Sequence, residues 1–217
     1  MKHLVYLRTV LKHKGYVFRA SIQLGCIWRG IVHDLSKFYP SEWGPYVEFF
    51  EGWWRANQKN KDLSPEGKTR QKVEERRARK AFDVAFHHHI HRNPHHPEYW
   101  IRRKQDGTYE PLEIPDIYVR EMVADWFGAS RAYSGKDTCF DWYWANREKI
   151  VLHPSTRLLV ETLITDALLK AHKGKCWGLI PGAGEESMWG CACEGCDWAW
   201  DMRHIHLVRG EDCVSRE

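Results

Sequence analysis

Residues 3–37 read HLVYLRTVLKHKGYVFRASIQLGCIWRGIVHDLSK, and the fold turns on how this stretch divides. Apolar positions at Leu4, Leu7 and Leu11, and again at Val17, Ala20 and Leu24, keep a broadly helical period. Gly25 breaks it, because glycine enters helix-ending backbone conformations without steric cost. Residues 26–37 then predict a second helix. At ~1.5 Å of rise per residue, His13 lies about 18 Å back along the first helix from the break and His33 about 12 Å along the second. Antiparallel helices folded at Gly25 would hold the two imidazoles about one turn apart in height.

The helical pattern continues outward from this pair. Pro40, Ser41 and Glu42 start a third helix that runs through the aromatic stretch Phe49 to Trp54, and residues 57–67 read as a polar loop. Residues 68–91 predict a long helix, basic early and apolar at Ala81, Phe82, Val84, Ala85 and Phe86. Pro94 and Pro97 force a turn, since proline lacks the amide proton and restricts its predecessor. Asp106-Gly107 marks a loop tip, and Pro115 opens a helix to about Tyr133. Two more follow over 138–150 and 154–172, with Gly174 past the last. Strand signals are scarce. The expectation is an all-α bundle over 1–173 and a small, irregular, Cys/Trp-rich extension over 174–217.

Length and composition agree with that division. The 217 residues exceed one domain of about 150 but fall short of two. A net charge of +4 is too mild to name a polyanionic partner. No stretch approaches the ~18 uncharged apolar residues of a membrane span. His13, Lys14 and Arg19 interrupt any signal-peptide core, so a cytoplasmic location is expected. The basic run Lys68, Arg70, Lys72, Arg76, Arg77, Arg79 and Lys80 encloses Glu74 and Glu75, which favours a solvated helix face over a nucleic-acid surface.

The chemistry concentrates in histidines and carboxylates. His33-Asp34 places an imidazole beside a carboxylate, and Lys37 follows at a spacing that shares a helical face with both. Six of the 13 histidines lie between His87 and His96. Imidazole is the commonest ligand of zinc, iron, manganese and nickel, so this segment predicts metal binding. Helical spacing puts His88 and His91 on one face, and the prolines let His95 or His96 point back. Asp125 sits among apolar residues in EMVADWFGA, where a buried carboxylate needs a cationic partner.

In this order, His13, His33-Asp34 with Lys37, a paired-histidine segment and a late Asp125 resemble the HD-domain superfamily of helical, metal-dependent phosphohydrolases. HDLSK is similar to the HD-x-x-K form of its cyclic-dinucleotide phosphodiesterases. His95-His96-Pro97-Glu98 resembles their His-His-Glu segment with Pro97 inserted, and residues 122–133 (MVADWFGASRAY) resemble their final aspartate helix. More narrowly, HDLSKF, SEWGPY, HHHIHRNPHHPEYW and YVREMVADW are similar to an uncharacterised family of HD-like proteins carried by phages and bacteria. The resemblance spans about residues 3–170. It implies metal ligation by His13, His33, Asp34 and Asp125, with His88 or His89 and His95 or His96 completing a second metal, each a divalent Mn, Fe, Zn, Co or Ni. Lys37 would be the phosphate-side cation, Arg92 a second one, and Glu42 and Asn93 positioning or substrate-contacting groups.

The expected activity is hydrolysis of a phosphoester in a nucleotide or a cyclic or linear oligonucleotide, in the cytoplasm of a bacterium or phage-infected cell. Two alternatives are an HD-type di-iron oxygenase and a non-enzymatic nucleic-acid-binding zinc protein. In the tail, Cys176, Cys191, Cys193 and Cys196 either close a structural zinc knuckle or remain unligated thiols, with His204, His206 and Cys213 as substitutes for one ligand.

Overall fold

In this computed structural model the described residues are 1–54, 64–171 and the backbone of 177–179, 188–191, 198–201 and 206–209. They form seven α-helices: α1 Lys2–Gln23, α2 Ile27–Val32, α3 Pro40–Val47, α4 Pro65–Ile90, α5 Asp116–Ser134, α6 Cys139–Asn146 and α7 Pro154–Ala171. The chain divides into two compact units, Met1–Ile164 and Thr165–Glu217, with the division inside α7. Among its described residues the first unit adds one hairpin to its helices, β1 Ile101–Arg103 and β2 Tyr109–Pro111. Its tip is the expected Asp106-Gly107: Gly107 takes φ 85°, and Asp106 Oδ1 accepts from Thr108 N at 2.9 Å. Strands of three residues are too short to show alternation, so the sequence predicts only the turn.

Within the second unit, the described strands β3 Trp177–Leu179, β4 Met188–Cys191, β5 Trp198–Asp201 and β6 His206–Arg209 pair as an antiparallel meander. Cys191 lies opposite Trp177 in that register. Cys176, Cys193, Cys196, His204 and Cys213 lie outside the described residues.

Gly25, at φ 71°, turns the chain between α1 and α2 as expected. Cys26 N then donates to Ser21 O at 2.9 Å, which folds α2 back on α1. The central packing is α1 against α5. Lys12 Nζ reaches Ala132 O at 3.1 Å near one end, and Arg120 Nη1 reaches Leu24 O at 3.0 Å near the other, so the helices run antiparallel. Between those points Gly128 lets the backbones touch. A Cβ built there would stand 2.4 Å from Val17 Cγ2 and 2.8 Å from Val17 N. Val17 is fully buried and backbone cannot rotate aside, so Gly128→Ala is expected to cost about 3 kcal/mol, at the upper end for overpacking. Urea unfolding of the variant measures this, and a loss under about 0.5 kcal/mol would show that α1 can shift away.

The paired strands β3–β6 replace the irregular tail that the sequence suggests, and three helices also differ from the sequence reading. Helix α4 starts at Pro65, because Ser64 Oγ accepts from Gly67 N at 3.2 Å and caps it. The third helix changes to a wide π turn at Glu48–Trp54. The second helix stops at Val32, so His33, Asp34 and Lys37 do not share one α-helix. Its end is held by Lys14, whose ammonium donates to the carbonyls of Ile31, at 3.4 Å, and His33.

Candidate metal centre

The end of α2 makes the centre. Asp34 takes φ 55°, the only non-glycine positive φ among the described residues. Aspartate tolerates this left-handed conformation better than most residues, and such backbone clusters at functional positions. On a continuous helix, neighbouring side chains diverge by about 100°. Here the break brings His33 Nε2 to 3.3 Å from Asp34 Oδ2. Leu35–Phe38 then forms one 3-10 turn, in which residues three apart eclipse, and Lys37 Nζ lies 2.5 Å from the same Oδ2.

Four segments converge on this carboxylate. On its Oδ2 side stand His13 Nε2 of α1 at 3.8 Å and His33 Nε2. Asp125 of α5 joins them, its Oδ1 at 3.0 Å from His13 Nε2 and 3.3 Å from His33 Nε2. The two imidazoles are 3.4 Å apart, so the fold at Gly25 brings them together as the helical rise predicts. On the Oδ1 side stand His89 Nε2 of α4 at 3.2 Å and His95 Nε2 at 3.6 Å, with His96 beside them. In each of the groups His13, His33, Asp34, Asp125 and Asp34, His89, His95, His96, the candidate ligand atoms lie within 4.8 Å of one another. Asp34 belongs to both.

These residues fit metal ions. Asp34 Oδ1, His95 Nε2 and His96 Nε2 are buried with no hydrogen-bond partner among the described residues. Asp34 Oδ1 lies close to His89 and His95 but off the line for a hydrogen bond with either, so these atoms face common space rather than each other. An uncompensated polar atom in an interior is costly, and a cation relieves several at once. Burial would push the Asp34 carboxyl up, but His33 and Lys37 hold it well below the usual carboxylate range. Burial likewise opposes ionisation of Asp125, and His13 and His33 overcome it. Anionic carboxylates and imidazole nitrogens are donors for borderline divalent cations.

A second layer orients the imidazoles. His33 Nδ1 donates to Glu121 Oε1 at 3.2 Å, and His95 Nδ1 lies 3.3 Å from the same oxygen, though off the line for a hydrogen bond. Arg29 Nε holds Glu121 Oε2 from behind at 2.6 Å. On the other side, His89 Nδ1 donates to Glu42 Oε2 at 2.9 Å. Ser36 Oγ donates to that oxygen at 2.9 Å and Arg92 Nη1 to Oε1 at 3.0 Å. A carboxylate on Nδ1 fixes the tautomer of a neutral imidazole and leaves the Nε2 lone pair facing the centre. Glu121 also groups geometrically with His33 and His95 as a third cluster, but it meets their Nδ1 edges and is already held by Arg29, so it belongs to this orienting layer.

Residues 2–166 match a family described as a family of unknown function, DUF5662. The chain belongs to that family. No curated protein and no solved structure matches the chain. The DUF5662 region contains every ligand candidate from His13 to Asp125 and ends before the cysteine-rich tail.

Within that region the structure sorts the sequence candidates. It brings together His13, His33, Asp34, Lys37, His89, His95, His96 and Asp125. Both His95 and His96 converge, where the sequence leaves one or the other. His88 does not: it is exposed, because the buried face of α4 runs through Ala85 and His89, and the neighbouring position is turned about 100° away. Arg92 and Asn93 stand behind the ligands instead of facing a substrate. Arg92 braces Glu42 and lies over the Tyr39 ring, and Asn93 Nδ2 ties Ser36 Oγ to the carbonyl of His89, each at 2.8 Å. Sequence reasoning missed Glu121, although its spacing four residues before Asp125 on one helix was visible. The basic run on α4 is exposed, with Arg70 and Glu74 at 3.4 Å and Arg79 and Glu75 at 3.6 Å, as a solvated face requires.

Proposed function

We propose that this chain is a metal-dependent phosphohydrolase of the HD type, acting on a phosphoester. The observation that carries the reading is Asp34, whose two oxygens face two separate histidine groups beside a cavity of about 530 Å³. His13, His33, Asp34 and Asp125 would hold one divalent ion, and Asp34, His89, His95 and His96 a second, from among Mn, Fe, Zn, Co and Ni. Bound ions supply acidification of water and polarisation of a phosphoryl oxygen. In hydrolysis water adds to phosphorus, the P–O ester bond breaks and the proton of water ends on the departing alkoxide. Lys37 lines the cavity, and Asp34 more than offsets burial in keeping its ammonium charged, so it stands ready to orient a phosphoryl oxygen.

A di-iron oxygenase stays as the second reading, favoured by the aromatic residues of the cavity, which would shelter a C–H bond from water. Hydrolysis of phosphoesters under nitrogen by manganese-loaded protein, lost on chelation and restored by metal, is the expected result. Phosphoester turnover absent under every metal, with oxygen uptake by the iron-loaded protein, would overturn it. The α4 basic run, exposed and facing Glu74 and Glu75, does not favour the nucleic-acid-binding alternative.

A further inference from the structure

The cavity beside the candidate ligands has a mixed lining. His13, Asp34, Lys37, His89, His96 and Asp125 line part of it. Tyr6, Tyr46, Phe50, Phe82, Phe86 and Tyr133 line most of the rest, with Glu51 as a further carboxylate. The rings reach the ligands from two helices. On α4, Phe86 lies along His89, with centroids 6.4 Å apart and planes at 27°, and edge-on to His96 at 6.2 Å. On α5, Tyr133 lies parallel to His13 at 6.1 Å and 13°. Phe82, Tyr46 and Phe50 extend the same surface by ring-to-ring contact. Half-exposed Phe50 and Phe86, each 38% accessible, leave apolar area open for a ligand to cover.

The count of cations is the second observation. Lys37 is the only lysine or arginine lining the cavity among the described residues, and Asp34 already holds it. A phosphoryl group at the centre would meet Lys37 and any divalent ions that the histidine and aspartate groups would hold. A second or third phosphoryl group would lie against phenyl and phenol rings and the Glu51 carboxylate, with no further cation among the described residues to meet it, and an unpaired charge in such surroundings is expensive.

Resting on the phosphohydrolase reading above, we infer that the substrate presents one phosphoryl group carried by a ring-bearing, apolar alcohol, and that polyphosphates are disfavoured. The ring would cover Phe86 and Phe50 while the phosphoryl group meets the metal side.

The test uses the full chain loaded with manganese and two non-hydrolysable probes, phenylphosphonate and methylphosphonate, titrated by calorimetry. Burial of the ring should make phenylphosphonate bind on the order of tenfold tighter or better. Phe86→Ala and Phe50→Ala should bring the ratio of the two affinities towards one, with metal content reporting that each variant is folded. In turnover, a nucleoside monophosphate should show the higher kcat/KM against its triphosphate. Equal affinities for the two probes, a ratio untouched by both substitutions, or preference for the triphosphate would overturn the inference while leaving phosphoester hydrolysis standing. If neither phosphonate binds a metal-loaded protein, the phosphohydrolase reading falls and this inference with it.

Discussion

Under the proposed function, Asp34→Asn is expected to empty both candidate metal positions at once and to reduce phosphoester turnover on the order of 10³-fold or more. Asp34 is the one residue common to both ligand groups, so neither can stay complete without it. A metal's stabilisation of a phosphoryl transition state is worth several kcal/mol, and each ~1.4 kcal/mol is a decade in rate. Elemental analysis of the purified variant beside wild type, followed by turnover with added metal, measures both losses. A variant that retains two ions would show that Asp34 is a neighbour and not a ligand. The substitution also acts without metal. Lys37, only 15% exposed, loses its 2.5 Å partner, and removing one member of a buried pair leaves the other charge uncompensated. Unfolding of the chelated variant should therefore show a loss of about 3 kcal/mol.

Glu121→Gln should weaken metal binding by about 10–100-fold without removing any ligand atom, the range for residues that orient ligating imidazoles. One carboxylate oxygen stands at the Nδ1 atoms of His33 and His95, which belong to different ligand groups, so both positions should weaken together. A titration showing that only one ion is affected would contradict this shared role. The pH dependence gives a second readout on the chelated protein. Burial pushes the Glu121 carboxyl up, but His33, His95 and Arg29 outweigh it and bring it to about 2 from an ordinary 4.5. A carboxyl depressed in the folded state contributes stability that is present above its ordinary value and lost as pH falls through the folded one. The stability difference between wild type and Glu121→Gln should thus be full above about pH 4.5 and shrink as pH falls towards 2. A difference that is flat across that window would mean the charge on Glu121 contributes nothing.

Legibility in the sequence followed the range of the interactions involved. The fold at Gly25 and the meeting of His13 with His33 depend on one glycine and on helical rise, both local, and both were readable. The Asp106-Gly107 tip and the helix opened by Pro115 belong to the same class. The choice between His88 and His89 depends on the phase at which α4 meets the rest of the bundle, which Ala85 and Phe82 set by packing; adjacent histidines carry no sign of it. The identity of Arg92 as a brace depends on Glu42, fifty residues earlier in the chain.

From its sequence alone this protein is a helical bundle with imidazoles and carboxylates in four separated stretches and a compositionally distinct tail, because helical periodicity and proline and glycine positions act over a few residues. Tertiary structure decided that Asp34 leaves the helical conformation, that both His95 and His96 turn inward, and that Glu121 stands behind two imidazoles at once. Those outcomes required distant segments to compete for the same buried volume, where an unpartnered polar atom is costly, and no local pattern records which atoms meet.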